Sequence, residues 1–193
     1  MTSIDFYFEF RSPYSYLAHA QLGTLDAELS DHPVDIVAAM KQVGNTPTAL
    51  TCPTKGKYAG ADLQRRAKRY GVPLSRHKDI KSIDGRRLLR AVLAAGDCGL
   101  AKEVVAAIFQ AFWRHGLPLS TAEGLVRILE ASGIRDPQVA SRADSTELDD
   151  RVTQGNEAAG ARGIFGAPTF IVNDEMFFDN DRLEFIREAL RAA

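Results

Sequence analysis

The chain opens on a strict alternation of apolar and polar positions, which is typical of a strand with one buried face. The apolar face of this segment consists of Ile4, Phe6, Phe8 and Phe10. Ser12-Pro13 follows at once, and a serine N-cap before a proline at the first helical position predicts a helix over residues 13–29. Residues 33–38 predict a second strand, so the chain begins with a β–α–β unit.

The middle of the chain has a helical pattern. Glycines and prolines predict a loop over residues 41–56, and a helix follows at about 58–70, ending at Gly71. Apolar residues then recur at helical spacing and predict successive helices over residues 84–97, 99–115, 120–132, 136–143 and 145–161.

The C-terminal segment returns to a strand pattern. Two short apolar segments, residues 169–172 and 175–178, flank Asn173-Asp174 and predict a hairpin. Asp179-Asn180-Asp181 are candidate caps for a last helix over residues 182–191. The predicted order is β–α–β, a helical block, then β–β–α. We therefore expect an α/β fold in a single domain, residues 1–193, whose four-stranded sheet is split by an all-helical insertion at about residues 58–160.

Composition and charge narrow the possible functions. The 193 residues are 45% hydrophobic and 25% charged, enough for a sizeable core without disulfides or metals. The net charge of -1 argues against a broad surface for nucleic acid or membrane lipid. Two cysteines without a CxxC motif, and four histidines without ligand spacing, predict no metal site. The N-terminus has no export pattern and no apolar run is long enough to span a bilayer, so we expect a cytoplasmic protein.

The candidate chemistry lies at Ser12-Pro13-Tyr14-Ser15, between the first strand and the first helix. Helix N–H groups and the helix dipole favour a negative charge at such a position. Ser12 is therefore either an N-cap alone or a hydrogen-bond donor to an anion. No G-x-S-x-G motif surrounds the serine, so a serine hydrolase is poorly supported.

The predicted element order, with a proline opening the third strand, resembles the thioredoxin fold. In that fold a C-x-x-C motif occupies the start of the first helix, where this chain has Ser12-Pro13-Tyr14-Ser15. Thiol–disulfide exchange requires a thiolate, so dithiol chemistry is excluded at this position. A serine hydroxyl could instead stabilise a thiolate brought by a ligand. Lowering a thiol pKa by about two units takes about 2.7 kcal/mol, which one charge-assisted hydrogen bond and the helix field can supply.

Longer stretches carry a closer resemblance to a known family. They include residues 6–18 (FYFEFRSPYSYLA), 62–65 (DLQR), 70–74 (YGVPL), 165–169 (FGAPT) and 180–183 (NDRL). With these motifs in order, the chain resembles the bacterial 2-hydroxychromene-2-carboxylate isomerases and the kappa-class glutathione transferases. Both groups share a thioredoxin-like fold with the helical insertion of DsbA-type oxidoreductases. The resemblance implies glutathione as cofactor, a small aromatic substrate and a homodimer.

The resemblance also implies roles for individual residues. Ser12 matches the catalytic serine that hydrogen-bonds the glutathione sulfur and promotes its thiolate. Further glutathione-binding positions are implied at Pro13, Tyr14, Asn45, Pro53, Ala167, Pro168, Asn180 and Asp181. Substrate binding is implied at Lys41 and Asn45. Ala167-Pro168 matches a cis-proline corner, and the chain departs from the family pattern with Ala167 in place of valine or leucine and Glu9 in place of aspartate.

Three functions follow as hypotheses. The first is a glutathione-dependent isomerase, in which a thiolate adds reversibly to an unsaturated aromatic pyruvate derivative during the breakdown of aromatic compounds. The second is a kappa-type transferase or peroxidase that uses the same thiolate. The third is a catalytically silent thioredoxin-like binding module.

Overall fold

A mixed four-stranded sheet forms the centre of the fold in a computed structural model that describes residues 3–46, 51–75, 77, 80–117 and 119–192. Strand β1 (Ser3–Phe8) pairs in parallel with β2 (Glu28–Pro33) and antiparallel with β3 (Thr169–Val172). Strand β3 then pairs antiparallel with β4 (Glu175–Phe178). The strand order β2-β1-β3-β4 confirms the predicted thioredoxin-like sheet.

Helices surround this sheet. They are α1 (Pro13–Leu22), α2 (Ile36–Gln42), α3 (Pro53–Tyr70), α4 (Gly85–Gly96), α5 (Ala101–Phe109), α6 (Ala122–Ala131), α7 (Pro137–Arg142), α8 (Thr146–Ala161) and α9 (Leu183–Arg191). A π-helical turn, Gln110–Arg114, continues α5, and a short 3-10 turn spans Ile80–Ser82. The helices predicted between residues 84 and 161 are confirmed to within a few residues at each end. In the described part of the chain, none of the helices is long and apolar enough to cross a membrane.

The second strand was placed wrongly by the sequence pattern. Residues 33–38 were expected to form it, but β2 is the polar segment Glu28–Pro33, and α2 begins at Ile36. Asp35 is the N-cap of α2, and its carboxylate accepts a hydrogen bond from the backbone N–H of Ala38 at 3.3 Å. Because β2 lies at the edge of the sheet, it needs few apolar side chains, so its sequence lacks the pattern of a buried strand.

Other helix boundaries also differ from the predictions. α1 ends at Leu22 instead of residue 29, since the chain must turn back to begin the parallel strand β2 at Glu28. α3 begins at Pro53, inside the predicted loop 41–56, because proline is well suited to the first helical position. Residues 47–50 of that predicted loop lie outside the described residues. The cap expected from residues 179–181 is wrong, since α9 has Arg182 at its N-cap without a side-chain capping bond.

Apolar residues are buried on both faces of the sheet. On one face, Phe6, Phe8 and Phe10 pack into a large cluster with residues of α1, α4, α5 and α6. On the other face a smaller cluster joins the sheet to α2 and α8; its fully or nearly buried members are Tyr7, Val34, Ile36, Ala39, Ala159, Ile164 and Ile171. The indole N–H of Trp113 also donates to the Phe10 carbonyl at 2.7 Å, so the segment directly after β1 is bound to the π-helical turn.

His19 on α1 gives the fold a testable pH dependence. Its ring lies against Phe6 and Phe109, with centroid distances of 6.4 and 4.9 Å, and burial lowers its pKa to about 4. The unfolded chain, with a histidine pKa of about 6.5, therefore binds a proton between pH 6.5 and 4 that the folded chain does not. The contribution of this residue to the free energy of unfolding is fully present above pH 6.5. It is lost as the pH falls through this range, by about 3 kcal/mol in total.

The matched variant is His19→Leu, because leucine keeps an apolar side chain in the cluster without a titrating group. We expect the free energy of unfolding of the variant to fall less than that of the unmodified protein between pH 7 and 4. Asp31, whose pKa is raised to about 6 by burial, has the opposite effect, but it is present in both proteins and cancels in the comparison. Denaturant titrations with equal pH dependence in both proteins would contradict the expectation.

Candidate functional site

Ser12 lies in the turn between β1 and α1 and is the N-cap of α1. Its Oγ accepts a hydrogen bond from the backbone N–H of Ser15 at 3.2 Å, so the capping role is confirmed. The same hydroxyl donates to the backbone carbonyl of Ala167 at 3.1 Å. No acidic residue lies in the first turn of α1. The positive end of the helix dipole is therefore not neutralised by a side chain of that turn.

The segment that faces Ser12 contains the predicted proline corner. The Ala167–Pro168 peptide bond is cis, as the resemblance implied, and Pro168 comes directly before β3. The Pro168 carbonyl accepts from the backbone N–H of Asp179 at 3.0 Å, which ties the corner to the segment after β4. The fold thus brings Ser12 and Ala167, 155 positions apart in the sequence, into direct contact.

A partly buried ion pair between Glu9 and Arg11 lies directly before Ser12 in the turn. The Glu9 carboxylate is buried and accepts from the backbone N–H of Arg11 at 3.0 Å and from its Nε at 3.1 Å. The carbonyl of Glu9 also accepts from the backbone N–H of Ser12 at 3.0 Å. Burial raises the pKa of the Glu9 carboxyl, and Arg11 offsets part of that effect. The glutamate that departs from the family pattern is therefore part of the turn that presents Ser12.

Asn45 reaches the proline corner from the loop after α2. Its Nδ2 donates to the Phe165 carbonyl at 2.8 Å, two residues before Ala167. Lys41 is exposed in the last turn of α2, and Pro53 is exposed at the start of α3. The described contacts link Asn45 to the site and do not link Lys41 or Pro53 to Ser12.

Asn180 and Asp181 differ in what they offer to a ligand. The Asn180 side chain is fully buried, and its Oδ1 accepts from the Tyr70 hydroxyl at 3.2 Å and from Arg66 Nη1 at 3.4 Å. Asp181 is partly exposed, and its carboxylate pairs with Arg66 at 3.0 Å and with Arg182 at 2.5 Å. Burial raises the pKa of Asp181, but the two guanidinium groups outweigh this effect and hold it below its usual value. Asp181 is therefore an ionised, accessible carboxylate, whereas Asn180 is an internal bridge.

Pro13 and Tyr14 form the first turn of α1 beside Ser12. Burial raises the pKa of the Tyr14 hydroxyl, and the charges of Asp179 and Asp62 act in the same direction. Arg66 has the opposite, smaller effect on the same hydroxyl. Tyr14 is thus a neutral hydroxyl within electrostatic reach of the group around Arg66 and Asp181.

An open cleft of about 560 Å³ lies between α1, α3 and α9. Its lining includes Asp62, Arg66 and Tyr70 of α3 together with Asn180 and Asp181. Arg66 was missed by the sequence analysis, although it stands four residues after Asp62 on one helix, a spacing that indicates an ion pair. Nothing in that spacing shows that the same guanidinium also reaches the segment before α9.

Gly166 next to the proline corner provides a local test of packing. A Cβ at this position would overlap the ring of Phe178, which itself packs on Phe165 with a centroid distance of 4.7 Å. The Gly166 carbonyl also accepts from the buried Thr169 hydroxyl at 2.8 Å, so the segment has little room to move. We expect Gly166→Ala to lower the free energy of unfolding by about 1–3 kcal/mol, measured by denaturant titration.

The control is Gly155→Ala in α8, where a Cβ would meet nothing within 4 Å. Alanine in an unobstructed helical position is neutral or stabilising by up to about 1 kcal/mol. Equal stabilities of Gly166→Ala and Gly155→Ala would show that the close packing at the corner does not constrain the protein.

The chain is similar to known proteins along nearly its whole length. The profile of the DSBA-like thioredoxin domain matches residues 3–191. The 2-hydroxychromene-2-carboxylate isomerase of Sphingobium xenophagum is 32% identical over 193 residues, covering 97% of each chain. Glutathione S-transferase kappa 1 of Caenorhabditis elegans is 26% identical over 206 residues, covering 97% of this chain and 90% of that protein. A solved structure of a 2-hydroxychromene-2-carboxylate isomerase has a TM-score of 0.88 at 28% identity, covering 98% of this chain and 95% of that chain.

Proposed function

The chain belongs to the DSBA-like thioredoxin domain family, in the group that contains the 2-hydroxychromene-2-carboxylate isomerases and kappa-class glutathione transferases, and from that premise we propose that it is a glutathione-dependent isomerase. The observation that carries the proposal is the Ser12 hydroxyl, which lies at the N-terminus of α1 and contacts the Ala167 carbonyl. A thiol-bearing peptide bound along Ala167 would have its sulfur beside a hydrogen-bond donor and the positive end of a helix.

The residues present suit glutathione. Ser12 can donate one hydrogen bond, the Ala167 carbonyl can accept one from a peptide N–H, and Asp181 can accept from an ammonium group. When bound, glutathione would supply a thiolate nucleophile whose addition turns a double bond of the substrate into a single bond that can rotate, and whose elimination restores the double bond and the free thiolate.

The Ser12 hydroxyl has one proton, for which the Ala167 carbonyl and the sulfur of a bound thiol would compete. In the described structure that proton points to the Ala167 carbonyl, while Oγ accepts from Ser15. Donation to a sulfur requires the hydroxyl to turn away from Ala167. A peptide N–H of the ligand would then donate to the half-buried Ala167 carbonyl in place of Ser12, so that this acceptor keeps a partner. The cap from Ser15 persists in both arrangements, because it uses a lone pair and not the proton.

The remaining residues would position the reactants. We assign the γ-glutamyl ammonium group to the Asp181 carboxylate, and the wall of the glutathione pocket to Pro13, Tyr14, Pro53 and Pro168. The Asn180 side chain is buried, so it would not contact glutathione and would instead hold the neighbouring Asp181 in place through its hydrogen bond with Tyr70. For the aromatic substrate we assign Asn45, next to the proline corner, and the exposed cation Lys41, which suits a carboxylate. A homodimer and a cytoplasmic location stay predictions.

The test is an assay with 2-hydroxychromene-2-carboxylate in the presence and absence of glutathione. We expect isomerisation that depends on glutathione while the total concentration of free glutathione stays constant. Isomerisation at the same rate without glutathione would contradict the proposal.

The kappa-type transferase is the second candidate, since the Caenorhabditis elegans relative carries that name. The two activities differ in what happens to the thiol. Consumption of glutathione in proportion to product, with an electrophilic aromatic acceptor, would support the transferase. A protein that binds glutathione with neither activity would be a binding module.

A further inference from the structure

Arg66 connects the helical segment after β2 with the start of α9. Its Nε pairs with Asp62 on the same helix at 2.7 Å, and its Nη1 pairs with Asp181 at 3.0 Å. Nη1 also lies 3.4 Å from Oδ1 of Asn180, which accepts a hydrogen bond from Tyr70 as well. One guanidinium thus joins Asp62 of α3 to Asn180 and Asp181, the two residues that precede Arg182.

This arrangement restricts Asp181. Asp62 holds the guanidinium at Nε, so the direction of Nη1 is set by the rigid, planar fork. Asn180, fully buried, fixes the backbone next to Asp181 through its bonds to Tyr70 and to Asp179, whose Oδ1 accepts from Asn180 Nδ2 at 2.7 Å. The carboxylate of Asp181 therefore has a defined orientation before any ligand arrives, and its ordering does not have to be paid for on binding.

We propose that Arg66 is a positioning residue for the amino-acid end of glutathione, because it holds the Asp181 carboxylate in the orientation that receives the γ-glutamyl ammonium group. The inference rests on the proposed function and adds to it a residue of the helical segment between β2 and β3. Since Arg66 lies on α3, this helix would set the geometry of a site formed by the start of α1 and by the segments that precede β3 and α9. Lysine cannot replace it, because an ammonium group cannot reach Asp62 and Asp181 through a planar fork.

The experiment compares Arg66→Met with Lys68→Met. Lys68 is an exposed cation on the same helix, so the control removes the same charge without touching Asp181. By calorimetry we expect Arg66→Met to bind glutathione about tenfold more weakly than the unmodified protein, and Lys68→Met to bind it equally well. In steady-state assays the Michaelis constant for glutathione should rise in Arg66→Met with little change in turnover, because contacts remote from the sulfur stabilise ground and transition states alike. Arg66→Lys should restore little of the affinity.

A second readout does not depend on glutathione. The Asp181 carboxyl should titrate at higher pH in free Arg66→Met than in the unmodified protein, observed by NMR, because the guanidinium that stabilises its charge is gone. If Arg66→Met does not fold, Asp62→Asn serves instead, since it frees the guanidinium from its anchor and should also weaken glutathione binding. Unchanged glutathione affinity in the folded variant, with binding by the unmodified protein intact, would overturn this inference alone. Failure of the unmodified protein to bind glutathione would overturn the proposed function together with it.

Discussion

Ser12→Ala is expected to lower kcat/KM for the glutathione-dependent isomerisation by about 100-fold while the protein stays folded. The hydroxyl is the donor that contacts the Ala167 carbonyl, and alanine cannot donate to a sulfur in its place. The variant also loses the N-cap of α1, which costs about 1 kcal/mol of stability and does not unfold a domain of ordinary stability.

Two controls separate the lost hydrogen bond from the lost cap. Ser145→Ala removes the N-cap of α8, where Oγ accepts from the Leu148 N–H at 3.3 Å, and should reduce stability with little effect on activity. Ser12→Gly keeps most of the capping stability, because glycine is tolerated at this position, yet it should be as inactive as Ser12→Ala. Full activity in Ser12→Gly would show that Ser12 only caps the helix.

Asp181→Asn is expected to raise the Michaelis constant for glutathione by about 10–100-fold and to leave turnover within about twofold. An ionised carboxylate can accept charge-assisted hydrogen bonds from an ammonium group, and the uncharged amide loses that attraction. The site is remote from the sulfur, so the lost contacts are equal in ground and transition states. Asp181 is held below its usual pKa by Arg66 and Arg182, so the carboxylate should act as an anion throughout the neutral range.

The assay varies glutathione over a wide range at fixed substrate for both proteins. Asp150→Asn, which changes an exposed carboxylate on α8, is the matched control and should behave like the unmodified protein. A large fall in turnover at saturating glutathione, with the Michaelis constant unchanged, would show that Asp181 takes part in the chemical step and not in glutathione binding.

Local signals in the sequence were sufficient for elements whose stability is mainly local or whose buried face is continuous. The alternation of Ile4, Phe6 and Phe8 identified β1, and Ser12-Pro13 identified the start of α1. Asn173 and Asp174, both with positive φ, form the turn of the predicted hairpin. In each case neighbouring residues carry the information that decides the structure.

The prediction of the second strand was wrong because that strand depends on pairing with a distant segment and not on its own sequence pattern. The apolar side chains of Val34 and Ile36 are buried in the smaller cluster, between the sheet and α8. Asp35 between them is the N-cap of α2, so these residues begin a helix and not a strand. The strand itself, Glu28–Pro33, is determined by pairing with β1, which no local pattern in a polar edge strand shows.

Within the candidate site, some contacts could likewise be predicted from the sequence and others could not. Ser12, Ala167 and Pro168 are predicted to lie together because a resemblance covers both segments, and the structure places the Ser12 hydroxyl in contact with the Ala167 carbonyl. Whether Asn180 is exposed or buried depends on Arg66 and Tyr70, which are more than 100 positions away, so its internal role was not predictable.

The most direct test of the central claim is the pKa of the glutathione thiol when bound to the protein, measured by ultraviolet titration of the thiolate. If Ser12 and the N-terminus of α1 stabilise the thiolate, the thiol pKa of bound glutathione should lie about two units below the ordinary thiol value of about 8.5. In Ser12→Ala the thiol pKa should rise most of the way back to that ordinary value. The same thiol pKa in both proteins, with glutathione bound to each, would contradict the account.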